Sequence, residues 1–317
     1  MQSILLMKIG LLSIGAVLIG IFLKPINSVS FVTSNQTTVE ISQSKAEFSP
    51  DQQVIVDALK QANVVYLGET HNRLDDHQAQ FQIIQALHQS NPKLVVAMEM
   101  FQRPFQPILD RYLAGEITEQ ELIEQSQYEQ RWGFPWEYYA DIVRFAQENN
   151  LPLIAANTPT EVTRKVARSG LKSLTDSDQR YIPPVDEVKT DNADYRQMVL
   201  DVFQLHAHHG SGQSTGHSQA DKSNNAEADP RFENFFAAQV LWDETMADSI
   251  VNFLKDNPGY QVVVIVGQGH VVYDYGIPSR VERRLSEQNL TQASVLFQSP
   301  DESPTEEPEI ADFIWKH

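Results

Sequence analysis

The chain has 317 residues, with 42 acidic against 24 basic side chains, a formal charge of −18 and no cysteine. The acidic balance repels phosphate backbones, so no nucleic-acid partner is expected. The lack of thiols removes disulfides, thiolate zinc sites, iron–sulfur clusters and cysteine nucleophiles, leaving His, carboxylates, amides, hydroxyls or a bound cofactor to carry any chemistry.

Ile9 to Leu23 is an uncharged apolar run between Lys8 and Lys24, followed by the small residues Ser28-Val29-Ser30. Residues 1–30 therefore read as a signal peptide or a membrane anchor, and the two readings stay open. Residues 31–47 read as a polar tether. Either way the folded part is expected to be extracytoplasmic, periplasmic or membrane-anchored and facing outside.

Folded sequence is expected from Phe48 to Gln298. Ser49-Pro50-Asp51 opens a helix carrying Val54, Ile55, Ala58 and Leu59. Apolar, β-branched runs follow at Asn63–Leu67, Leu94–Met98, Leu151–Ala156 and Gln261–Val266, with a weaker fifth at Ser294–Gln298. Continuous rather than alternating apolarity indicates strands covered on both faces, as in parallel sheets. Helix-period faces lie between them, at Phe81, Ile84 and Leu87, at Ile108, Leu109, Tyr112 and Leu113, and at Tyr138, Ile142 and Phe145. This alternation predicts an α/β fold, a mainly parallel sheet of four or five strands flanked by helices. Pro104–Asn150 should hold two or three helices, and Thr160–Pro258 several more. Residues 206–230, with His206, His208, His209 and His217 and almost no large apolar residue, read as a flexible loop. Residues 299–317 read as an acidic, Pro-rich, solvated tail.

Ligands of open parallel sheets sit beyond the carboxyl ends of the strands. Here those ends carry Gly68-Glu69-Thr70-His71, then Glu99, then Asn157, then Gly267-Gln268-Gly269-His270. Glycine after a buried strand permits a tight turn that leaves the imidazole at the sheet mouth. Two imidazoles with two carboxylates can hold a divalent metal or serve as acid and base around a carbonyl. Glu69, His71, Glu99 and His270 are thus the candidate catalytic and metal-ligating residues. Gln239 lies within the apolar stripe of a helix from Phe232 to Leu254 and needs a partner or a pocket. The aromatic cluster Trp132 to Tyr139 is either packing or the wall of a flat cofactor. The His-rich tract can bind metal or haem iron, or act as a spacer.

These motifs, with Ala97-Met98-Glu99-Met100-Phe101, Trp242-Asp243-Glu244-Thr245-Met246-Ala247 and Gly276-Ile277-Pro278-Ser279-Arg280, resemble ChaN-type haem-binding proteins over about Val54 to Arg284. That group shares a superfamily with Tiki metalloproteases and erythromycin-esterase-like hydrolases. The resemblance implies a smaller helical subdomain beside the sheet, haem as cofactor, a homodimer enclosing two haems, and a role in haem or iron acquisition. It implies a tyrosine ligand to the haem iron, for which Tyr139, beside the aromatic cluster, is the candidate; Gln239, from its place in the apolar stripe, and Asn157, from its strand end, are further candidate cofactor contacts. In the Tiki branch, paired Gly-x-x-His motifs and an acidic residue form a metal-dependent hydrolytic site, which here maps to Glu69, His71, Glu99 and His270. Relatives are often lipoproteins; this chain has no Cys for lipid attachment, so membrane contact would fall to the N-terminal helix.

Overall fold

Six parallel strands form one sheet in the order β3-β2-β4-β1-β5-β6. They are β1 (Val64–Glu69), β2 (Leu94–Gln102), β3 (Leu153–Asn157), β4 (Gln261–Gly267), β5 (Gln292–Gln298) and β6 (Phe313–Lys316). The computed structural model describes residues 48–209, 229–302 and 310–317. The expected signal or anchor, the tether and the His-rich residues from 210 to 228 lie outside the described residues. Among those described, no helix is long and apolar enough to cross a membrane.

Alternate residues of each strand face opposite sides of the sheet, and two cores result. Val65, Leu67, Val96, Met98, Val263 and Ile265 face α1 (Pro50–Leu59), α2 (Leu74–Ser90), α3 (Gln106–Leu113), α4 (Glu119–Gln125), α5 (Tyr128–Arg131) and α6 (Ala140–Glu148). Val64, Tyr66, Val95, Ala97, Val262 and Val264 face α7 (Thr160–Ser169), α8 (Ala193–His209), α9 (Pro230–Asp256) and α10 (Ile277–Leu285). The insertion between β2 and β3, α3 to α6, shares its core with the sheet face it covers. Ser49 caps α1 through a reciprocal box with Gln52, and Pro50 occupies the first turn, as that sequence predicts.

Two stretches differ from the sequence expectation. The sixth strand comes from the last part of the tail, where Trp315 is buried and meets the Phe48 ring edge-on at 5.7 Å. The expected loop from residue 206 begins later, because α8 runs on through His209. Its apolar face of Tyr195, Val199, Leu200 and Phe203 packs in the α9-side core, and histidine is compatible with a further helical turn.

β3 is an edge strand, and a side chain closes part of that edge. The Gln106 amide donates to the Leu153 carbonyl at 2.9 Å and accepts from the Ala155 N–H at 2.7 Å, as a neighbouring strand would. Gln106→Ala should cost about 1–2 kcal/mol in urea unfolding, with an unchanged slope.

Candidate functional site

The strand order places the candidate residues side by side. β4 lies between β1 and β2, so Gly267 sits directly opposite Glu69, and the turn to His270 rises between Glu69 and Glu99. Glu69, His71, Glu99, Asn157 and His270 gather along one rim of the sheet, and all are buried.

The first half of the rim is a saturated carboxylate. Glu69 Oε1 accepts from the Tyr139 hydroxyl at 2.5 Å and from His71 Nδ1 at 2.8 Å. Its Oε2 accepts from Gln80 Nε2 at 2.8 Å and lies 3.4 Å from His77 Nδ1. Burial opposes its ionisation, but the hydrogen bonds and charges of His71 and His77 outweigh burial and hold it well below the usual carboxylate range. His77 is correspondingly raised: burial disfavours its charge, and Glu69 more than offsets that. The His71 ring meets Trp132 edge-on at 5.1 Å and Phe134 at 4.9 Å, so the aromatic cluster covers it.

The second half is built on His270. Its Nδ1 donates to Asp243 Oδ1 at 2.6 Å, and its Nε2 lies 3.5 Å from Glu99 Oε1. Asp243 Oδ2 accepts from the Tyr195 hydroxyl at 2.6 Å. Burial alone would keep this imidazole neutral, but Glu99 and Asp243 prevail and push its pKa up to about 10. Glu99 is lowered in turn: His270 outweighs burial, and the Gly267 N–H donates to Oε2 at 2.8 Å. Glu99 Oε1 has no hydrogen-bond partner, nor does Gln239 Oε1, whose amide nitrogen is 3.2 Å from His270 Nδ1.

Gly267 joins the halves. A Cβ there would fall 2.7 Å from His71 Nε2 and 3.7 Å from Glu99 Oε2, so the imidazole rests against bare backbone. Gly267→Ala should displace the His71 ring and cost about 1–3 kcal/mol, measurable as a lowered urea midpoint. Gly276 has a similar role under the next turn, since its Cβ would collide with the His270 carbonyl.

Three sequence expectations change here. Tyr139 does not fit an iron ligand: it is fully buried, its hydroxyl donates to Glu69, and burial with the nearby Glu69 charge holds its pKa well above the ordinary value. Asn157 braces structure, because Nδ2 donates to the Glu99 carbonyl at 2.7 Å while Oδ1 accepts from Trp242 Nε1. The four residues expected to ligate a metal do not form a metal site. Among the described residues no group of three or more His, Asp or Glu is arranged to hold an ion. Each imidazole engages a carboxylate through Nδ1, His71 with Glu69 and His270 with Asp243. Sequence reasoning missed Asp243, Tyr195, His77 and Gln80. Asp243 follows Trp242 within a quoted motif, and a buried carboxylate in an apolar stripe signals a partner. His77 and Gln80 lie on the same helix face as Ile84 and Leu87.

The comparisons agree with this fold. A family profile described as haem-binding uptake, Tiki superfamily, ChaN matches residues 55–281. The chain belongs to this family. Its fold matches that of ChaN from Campylobacter jejuni, solved with cofacially bound haem. The TM-score is 0.61 at 17% identity, covering 83% of this chain and 90% of that one. An erythromycin esterase aligns less closely, with a TM-score of 0.45 and 13% identity over 84% of this chain and 78% of that one. Protein RETICULATA-RELATED 5, chloroplastic, of Arabidopsis thaliana is 25% identical over 291 residues, or 84% of this chain. The chain spans 35% of that relative's length.

Proposed function

We propose that this ChaN-family protein binds haem and acts as an extracytoplasmic carrier in haem or iron acquisition, forming a dimer on loading. The family match across residues 55–281 carries the reading. The fold shared with a protein solved with cofacial haem supports it. The apolar run Ile9–Leu23 supports export. Tyr139 does not fit haem iron as it stands, since its buried hydroxyl donates to Glu69. Iron ligation is therefore assigned to a group other than Tyr139, and the His-rich tract is one source. Haem titration should give a Soret band that survives Tyr139→Phe, and sedimentation should show dimers appearing with haem. Deleting residues 206–217 tests the tract, whose ligation predicts a shifted or lost band. A Soret band unchanged from that of free haem in the intact protein would refute haem binding.

A second reading, hydrolysis, is favoured by one observation: the same sheet rim carries two buried imidazoles held through Nδ1 by carboxylates, His71 by Glu69 and His270 by Asp243. His71 would act as base and His270 as acid on a water and a carbonyl. Turnover of a nitrophenyl ester, abolished by His71→Ala, would support it. Loss of that turnover with a chelator would restore a metal to the scheme.

A further inference from the structure

We propose that Asp76 is the positioning residue for the His71 turn and that β6 is a strap holding Asp76 in place through His317. The proposal is independent of what the rim binds.

Asp76 is fully buried in the first turn of α2. Its Oδ2 accepts the Thr70 N–H at 2.8 Å, which fixes the residue before His71. The next residue, His77, donates from Nε2 to the His71 carbonyl at 3.0 Å. Two consecutive side chains of α2 therefore grip the turn on both sides of the His71 α-carbon. The turn also closes on itself, with the Arg73 N–H donating to the Thr70 carbonyl at 2.8 Å.

The other oxygen of Asp76 faces the strap. His317 Nε2 donates to Oδ1 at 2.8 Å, and the His317 ring stacks on Phe297 of β5 at 5.9 Å with an interplanar angle of 14°. A second tie runs alongside it. Arg73 pairs with Glu302 at 2.5 Å and donates to the Phe297 carbonyl at 3.4 Å, while the Ser299 N–H donates to Glu302 at 3.0 Å. Groups from β5, from the segment after it and from beyond β6 thus converge on the two residues that bound the His71 turn. A carboxylate held by the strap on one oxygen has a fixed direction for the other. If the strap is lost, Asp76 is free to turn towards Arg73, whose guanidinium lies 3.7 Å from Oδ1. The Thr70 amide then loses its acceptor.

Amide exchange of the full chain, followed by mass spectrometry, tests this. His317→Ala should speed exchange of the segment 68–73 about tenfold, and Asp76→Ala should do at least as much. His317→Gln, whose amide keeps a donor, should restore slow exchange. Lys316→Ala, exposed on the same strand, should leave the segment unchanged. Unchanged exchange over 68–73 in folded His317→Ala protein overturns the proposal. Equal acceleration by Lys316→Ala also overturns it, since the cause would then be general loosening of β6. His317 is only partly buried, so its variants decide the matter even where Asp76→Ala fails to fold.

Discussion

Replacing Glu69 by Ala should destabilise the protein by about 3–5 kcal/mol, read as a fall in the urea midpoint at constant slope. Tyr139, His71, His77 and Gln80 all direct hydrogen-bond donors at this carboxylate, and all are buried with it. Removing the acceptor leaves at least one imidazole charge and a phenol without a partner, while water has no ready route in. The effect has a pH signature. The folded pKa of Glu69 is depressed, so its stabilisation is present above the ordinary value of 4.5 and is lost as the pH falls towards the folded value. Thermal melts of the native protein should drop on acidification below about pH 4.5, and Glu69→Gln should flatten that limb. An acid limb as steep in the variant as in the native protein would show that other carboxylates control it.

Asp243→Ala should be comparably severe, at about 3–5 kcal/mol, because it strands the His270 imidazolium and the Tyr195 hydroxyl together. Here the sign of the linkage is opposite. The pKa of His270 is raised from 6.5 to about 10, so its contribution is complete below 6.5 and is lost as the pH rises through about 10. The native protein should therefore lose stability between neutral and alkaline pH, and Asp243→Asn should shift that loss to lower pH. Melts at intervals from pH 6 to pH 10 would reveal the difference. A native profile flat across this range would mean that His270 is neutral in the fold.

How far the sequence led can be judged from particular residues. Glu69, Glu99, His71 and His270 were legible because each follows an uninterrupted apolar run, and in a parallel sheet all such ends lie on one edge. The insertion of β4 between β1 and β2 was not legible. Apolar runs identify strands but not their order, and that order is what brings His270 beside Glu99. Asp243 and Tyr195 were hidden for a different reason. They sit inside helices, and only the packing of α8 on α9 sets the Tyr195 hydroxyl against Asp243, which in turn holds His270. Tyr139 was singled out as the iron ligand from its aromatic neighbourhood. Its direction depends on the 3₁₀ turn before α6, which aims the hydroxyl inward at Glu69. β6 escaped notice because it has only four residues and follows an acidic stretch without periodicity.

The central position of β4 has a consequence for how the chain is made. Val64 pairs with Val262, so the middle of the sheet closes only after about two hundred further residues have been synthesised, a demanding contact order. Until then β1 and β2 are present without the strand that separates them, each offering a bare, strongly apolar edge. The unfolded polypeptide is therefore expected to need shielding from self-association until β4 can pair, and the refolded yield should fall as protein concentration rises.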